Sequence, residues 1–286
     1  MKYAWIKSHC GTYPVARMCR VLSVSRSGFI QWSGRRISKR QAANEVLAVQ
    51  IQRIHAQHVQ RYGRPRIWRE LASAGQRVGH ERVRRLMLEH GIRSVHRKKF
   101  RHTTDSKHLL PVAANLLGQR FAAPAPDRIW LADATYIATT EGWLYLAAVL
   151  DLCTRRIVGW SMSANLNAKL VCDALTMACG RRQPRAGLIH HSDRGIQYAS
   201  ELFRMHLKRY GIIQSMSRSG NAYDNAPMES FFHSLKVECT HRRHYQTRDQ
   251  ARSDVIEFIE GFYNPIRRHS ALQYLSPMNF ERSLYS

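Results

Sequence analysis

Hydrophobic and polar positions change rhythm once along this chain. Up to about residue 92, apolar residues recur at helical spacing. From Asp127 onward, short apolar runs broken by turn residues come first, and helical stripes follow. Pro14 predicts a helix start over 15–22, Ser23-Val24-Ser25 breaks it, and Ser25 caps a second helix carrying Ile30 and Trp32. Val46, Leu47, Val49, Ile51 and Ile54 form a mixed helical stripe. Arg61-Tyr62-Gly63-Arg64-Pro65-Arg66 reads as a basic turn, and 67–71 as helical. Residues 81–90 give an amphipathic helix with Val83, Leu86 and Met87 inward and Gly91 at its end. Beyond the change of rhythm, strands are predicted over 129–137, 143–150 and 156–162, a three-stranded antiparallel meander. A helix over 168–179, a strand over 188–191, a helix over 200–210 and a strand over 212–216 come next. Helices over 226–238 and 248–263 complete a mixed sheet flanked by helices.

This pattern divides the chain into four parts: helical segments at 1–40 and 41–98, a basic and Pro-rich linker at 99–126, and an α/β unit at 127–286. Charge sharpens the picture. The net charge is +25, and residues 1–105 carry 23 Lys/Arg against 5 Asp/Glu. So basic a front half suits a polyanion, because neutralised phosphates release counterions. The two helical segments then read as helix-turn-helix-like modules for double-stranded DNA. Arg26, Arg64, Arg66, Arg82 and Arg85, with Lys98 and Lys99 at the junction with the linker, are the candidate contacts. A solvated charged surface is the alternative reading of each.

Other classes are excluded or disfavoured. The six cysteines form no C-x-x-C pair, so neither a zinc ribbon nor a disulfide framework is indicated. His190 and His191 have no matching ligand pair. The longest apolar stretch, 143–152, is too short to span a bilayer. No signal peptide or heptad zipper is read at the start. The expected setting is the bacterial cytoplasm, in association with the nucleoid.

Three acids carry the candidate chemistry. Asp133 is one charge in the apolar strand Ile129-Trp130-Leu131-Ala132-Asp133-Ala134-Thr135-Tyr136. Asp193 follows Leu188-Ile189-His190-His191-Ser192, at a strand's C-terminal end, where open sheets place their ligands. Glu229 opens the run Ser230-Phe231-Phe232 in the first turn of a helix. A hydrogen-bonded core Asp, a turn residue and a dipole-complementing Glu are the plain alternatives. Together, three carboxylates suit two divalent cations acting on a phosphodiester. Asp224 is the rival third acid. Asn225 is a candidate helix cap, and Lys236, two turns after Glu229, shares its helix face.

The strings His191-Ser192-Asp193-Arg194-Gly195-Ile196-Gln197-Tyr198 and Gly220-Asn221-Ala222-Tyr223-Asp224-Asn225-Ala226-Pro227-Met228-Glu229 resemble the second- and third-acid segments of DDE transposases and retroviral integrases. With the tail pattern Tyr263-Asn264, Arg267, His269, Leu272, Pro277 and Phe280, the whole chain resembles the second reading-frame product (OrfB) of insertion-sequence-three family transposases. The resemblance implies a ribonuclease H-like core and catalytic, metal-holding roles for Asp133, Asp193 and Glu229. It implies two Mg²⁺ ions (Mn²⁺ as substitute), cleavage at element ends and 3′-OH strand transfer into target DNA. It also implies contact of Lys236 with end DNA, a homo-oligomer on DNA, and an upstream reading-frame product (OrfA) as fusion or partner. The competing readings are a DNA-binding regulator or assembly subunit without catalysis, and a nuclease of the same core without strand transfer.

Overall fold

The structure, a computed structural model, describes residues 1–34, 38–94, 110–218 and 222–285. It falls into two units, Met1–Arg93 and Ser94–Ser286.

In the first unit, helices α1 (Lys2–Ser8), α2 (Val15–Val21) and α3 (Arg26–Ser33) enclose a small core of Ile6, Met18, Cys19 and Phe29. Pro14 precedes α2, and the Ser25 hydroxyl accepts from Gly28 N at the start of α3, as its position predicts. The pattern does not reveal α1; its seven residues bury Ile6 alone, too little for a readable period.

Helices α4 (Lys39–Gln57), α5 (Arg64–Ser73) and α6 (His80–Glu89) pack on one another. Leu47, Ala48 and Ile51 of α4 face inward, but Val46 and Val49 are 62% and 63% exposed, so only part of the apolar stripe is core. Val83, Leu86 and Met87 of α6 are buried as expected, and Gly91 takes the left-handed conformation (φ +65°) beyond the helix. The expected basic turn is corrected at Arg64, where α5 begins. Pro65 lies in the first turn, where its missing N–H costs nothing.

The second unit is built on a five-stranded sheet in the order β3-β2-β1-β4-β5. β1 (Ile129–Thr139), β2 (Gly142–Asp151) and β3 (Ile157–Ser163) form the antiparallel meander, while β4 (Ile189–Ser192) and β5 (Ile213–Met216) run parallel to β1. This is the ribonuclease H-like order. Helices α7 (Ala168–Arg182), α8 (Ile196–Ala199) and α9 (Glu201–Arg209) cover a core of Trp130, Ala132, Val158, Leu175, Phe203 and their neighbours. β3 and α7 approach so closely at Gly159 that a Cβ there would meet the Ala174 carbonyl oxygen at 2.3 Å. Helices α10 (Ala226–Glu238) and α11 (Arg248–Ile256) pack against β1 and β2. The last seven residues of the expected 248–263 helix, Glu257–Tyr263, wind as a π-helix instead. α12 (Pro277–Ser283) closes the chain. Neither it nor the four-residue α8 is long enough to show a period.

Part of the expected linker belongs to this unit. Leu117 is buried, Leu116 N donates to Ser215 Oγ (2.9 Å), and Met216 N donates to Ala114 O (3.4 Å), so the segment lies along β5. At the start of β1, Asp127 accepts a forked bond from Arg182 of α7, and Arg182 also pairs with Glu281 of α12. Among the described residues, no helix is long and apolar enough to cross a membrane.

The tail motif braces the sheet and α10. The Asn264 amide accepts from Ile157 N (2.9 Å) and donates to Ile157 O (3.0 Å), replacing a strand neighbour at the sheet edge. Arg267, buried, grips Glu238 of α10 through two bonds (2.9 and 2.7 Å) and reaches Ser234 Oγ (2.8 Å). Tyr263 packs edge-on against Phe231 of the same helix, with ring centres 4.8 Å apart.

Asn264→Ala leaves two buried backbone groups without partners and is expected to destabilise the chain by about 2–4 kcal/mol in urea titration. A loss below about 0.5 kcal/mol contradicts the strand-mimic role. Arg267→Ala strands the Glu238 charge in the interior and is expected to cost about 3–5 kcal/mol. Stability indistinguishable from wild type would show that α10 does not depend on the brace.

Candidate active site

The register of the sheet brings the first two acids together. β1 and β4 are parallel, with Leu131 opposite His191. Asp133 and Asp193 each lie two residues further on, so they come to neighbouring positions at the end of β4. On its other side Asp133 stands opposite Ala148 of β2, whose pairing fixes its backbone. Asp193 is set just past the strand, where its Oδ1 accepts from Gly195 N at 2.9 Å. A Cβ on residue 195 would lie 3.0 Å from that oxygen, so glycine permits the turn.

The third acid arrives on α10, which spans the residues expected of it. Glu229 is in its first turn. Asn225, at the N-cap position, makes no side-chain cap bond and so is not the cap expected of it. Its Nδ2 instead donates to the carbonyl of Ala132 at 3.1 Å, tying the start of α10 to the residue before Asp133. Because a carbonyl can only accept, this bond fixes the amide's orientation. Asn225 Oδ1 is then buried with no hydrogen-bond partner among the described residues.

Asp133 is only 5% exposed. Burial pushes its carboxyl pKa well above the usual range, and the charges of Asp193 and Glu229 push it further. The Ala134 N–H and the charge of Lys236 work the other way. Lys236 is itself 6% exposed, with its ammonium 5.1 Å from the centre of the Tyr136 ring. Burial lowers its pKa to about 8, partly offset by the charge of Asp133. The solvated-lysine alternative therefore does not hold: Lys236 is an internal cation beside the acids.

The three acids share one electrostatic field but are not closed into a cage. Among the described residues, no three His, Cys, Asp or Glu stand in an arrangement that would hold a metal ion. The chemistry of the group does suit a hard divalent cation. Its donors are oxygens, the amide that bonds the Ala132 carbonyl leaves Asn225 Oδ1 buried without a partner among the described residues, and the charge of Asp133 is disfavoured without positive compensation.

The remaining candidates separate. Asp224 is buried and accepts from Arg218 N (2.8 Å), Arg218 Nη2 (3.0 Å) and Asn115 Nδ2 (2.9 Å). The Arg218 guanidinium lowers its pKa to about 2, so Asp224 ties the entry to α10 rather than joining the acid group. Gly220 and Asn221 of the expected loop lie outside the described residues. His191 bonds to Ser215 Oγ (2.9 Å) and Ser217 Oγ (3.1 Å), while neither ring nitrogen of His190 has a partner among the described residues. Burial holds both rings neutral, lowering the pKa to about 3 for His190 and about 4 for His191.

Of the expected DNA contacts, Arg26 at the start of α3 and Arg64 at the start of α5 are exposed. Arg66 lies over the Tyr62 ring at 5.6 Å, Arg82 donates to Asn44 Oδ1 of α4 at 2.8 Å, and Arg85 faces Glu89 at 3.5 Å. The row on α6 is thus partly engaged within its own unit. Lys98 and Lys99 lie outside the described residues. The Asn225–Ala132 bond and the Arg267–Glu238 pair leave no local signal in the sequence, because their partners lie 93 and 29 residues away.

Comparison with known proteins follows the same division. Residues 41–100 match the family model of an HTH-like domain, and residues 123–222 and 229–284 match two models of an integrase core domain. The chain is 44% identical over 283 residues to a protein of Escherichia coli (strain K12) named transposase InsF for insertion sequence IS3A, covering 98% of each. It is 46% identical over 268 residues to an insertion element IS600 uncharacterized 31 kDa protein of Shigella sonnei, covering 94% of this chain and 98% of that one. Among solved structures, it matches a simian T-cell lymphotropic virus intasome in complex with PP2A regulatory subunit B56 gamma. That match has a TM-score of 0.46 and 12% identity, covering 81% of this chain and 74% of that one. The HTLV-2 integrase catalytic core domain in complex with magnesium matches at a TM-score of 0.40 and 16% identity, covering 56% of this chain and 99% of that one. On its near-full-length identity to InsF, the chain belongs to the IS3 family of transposases.

Proposed function

We propose that this chain is a DNA transposase that cleaves a phosphodiester at the ends of its element and joins the freed 3′-OH to target DNA. The observation that carries the reading is the shared field of Asp133, Asp193 and Glu229 in a chain nearly half identical to an IS3 transposase. Asp133, Asp193 and Glu229 would hold two divalent cations, Mg²⁺ or Mn²⁺, which would supply Lewis acidity at the attacked phosphodiester and counter-charge for the departing 3′ oxygen.

The protein's own groups do the positioning. Asp133 is held by its pairing with β2, and Asp193 is turned by its bond from Gly195 N. Glu229 rides on a helix pinned at its start by Asn225 and at its end by Arg267. Lys236, buried beside the acids, offsets part of their charge from within. The basic first unit holds DNA through its helix starts, with exposed Arg26 and Arg64 as phosphate contacts. Two ends and a target call for several copies on DNA, with the upstream reading-frame product as fusion or partner.

A cleavage-and-joining assay on labelled element ends with Mg²⁺ tests the reading. Asp133→Asn, Asp193→Asn and Glu229→Gln are each expected to lower both steps by about a hundredfold to a thousandfold while end binding persists. Wild-type cleavage in any of them removes that acid from the set. Binding without cleavage by the wild-type chain would favour a regulator, and cleavage without joining a plain nuclease. Arg26→Ala and Arg64→Ala are each expected to weaken DNA binding and reduce the salt slope by about 1. Arg82→Ala should chiefly lower thermal stability through the lost Asn44 contact. The reverse ranking would show that the DNA-facing side is α6.

A further inference from the structure

His191 lies on the same face of the sheet as Asp133. It stands opposite Leu131 of β1 and Ser215 of β5, and Leu131 and Asp133 are two residues apart on one strand. The core under α7 and α9 takes the other face, through Trp130 and Ala132. His191 is fully buried, and its ring joins the ends of β4 and β5. Nδ1 meets Ser215 Oγ at 2.9 Å, and Nε2 meets Ser217 Oγ at 3.1 Å.

The direction of these bonds follows from their outer ends. Ser217 Oγ donates its one hydrogen to the carbonyl of Ser192 (3.3 Å), so it accepts from Nε2–H. A neutral ring protonated at Nε2 leaves Nδ1 to accept from the Ser215 hydroxyl, whose oxygen in turn accepts from Leu116 N (2.9 Å). The opposite tautomer would turn the Ser217 hydrogen toward the ring and forfeit its bond to Ser192.

Ser217 is the residue through which the ring reaches Asp193. Its N–H (2.9 Å) and its hydroxyl both donate to Ser192 O, which lies in the peptide plane that leads into Asp193. Its own carbonyl accepts from Arg194 Nε (2.7 Å), on the far side of Asp193. One serine thus clasps the residues on both sides of the acid.

We infer that His191 is a positioning residue for Asp193: by donating to Ser217 it aims that hydroxyl at the Ser192 carbonyl, and so fixes the peptide that sets the Asp193 carboxylate in place for a divalent cation. This rests on the reading of Asp193 as a member of the cation-binding set. Partners that orient a ligand from behind set metal affinity without touching the metal.

The test uses the full chain as wild type, Ser217→Ala, Ser215→Ala, His191→Gln and Asp193→Asn. Three quantities are measured: the melting temperature without metal, Mn²⁺ affinity by titration calorimetry without DNA, and Mg²⁺-dependent end cleavage. Ser217→Ala and Ser215→Ala each delete one hydroxyl from the same ring and are expected to lower the melting temperature alike. Only Ser217→Ala is expected to bind Mn²⁺ about tenfold more weakly and to cleave about tenfold more slowly. His191→Gln keeps an amide donor for Ser217, and is expected to melt lower than Ser217→Ala yet hold Mn²⁺ more tightly. Equal losses of affinity in the two serine variants, or affinities that follow melting temperature throughout, would mark the ring as merely structural and overturn the inference. Wild-type Mn²⁺ affinity in Ser217→Ala alongside its loss in Asp193→Asn overturns it too, while leaving the acid set intact. Wild-type Mn²⁺ affinity in Asp193→Asn overturns the acid set, and the role of His191 with it.

Discussion

The structure turns on the cost of keeping a carboxylate inside a sheet next to two others. Asp133 is buried in the central strand, Asp193 and Glu229 act on it with like charge, and one buried lysine and one backbone N–H oppose them. Such a group repels itself unless positive charge is supplied. The fold therefore holds a set of oxygens at a separation where they feel one another without closing, an arrangement that favours a cation arriving from outside.

Holding that arrangement falls to residues far from it. The parallel register of β1 and β4 sets Asp133 and Asp193 side by side. The Asn225–Ala132 bond fixes where α10 begins, and the Arg267–Glu238 pair fixes where it ends. Asn264 completes the outer edge of β3. The ion network of Asp127, Arg182, Glu281 and Arg156 binds the start of β1 to α7 and α12. The C-terminal tail thus serves the acids by stiffening the helix that carries Glu229.

Much of this was legible in the sequence, for identifiable reasons. The long strands and α10 show clear runs of apolar residues. Asp133 and Glu229 stand out because each interrupts or opens such a run. Short elements were not legible: α1, α8 and α12 are too brief for a period, and the π-helix over Glu257–Tyr263 shares its apolar pattern with an α-helix. The basic run on α5 and α6 suggested a free face, but Arg82 and Arg85 find partners that only tertiary packing supplies. The linker reading stopped short because Leu116 and Leu117 look isolated in sequence and gain their meaning from β5 alone. Asp224 could be ranked below Glu229 from the pattern, but its engagement by Arg218 and Asn115 could not be seen there.

The central claim is that Asp133, Asp193 and Glu229 form one cation-binding set. An anomalous-scattering map of crystals of the chain grown with Mn²⁺ and element-end DNA tests it most directly. The account predicts manganese peaks ligated by oxygens of all three acids, with Asp133 common to both ions. Manganese at another location, or any one of the three carboxylates left out of the coordination, would contradict it.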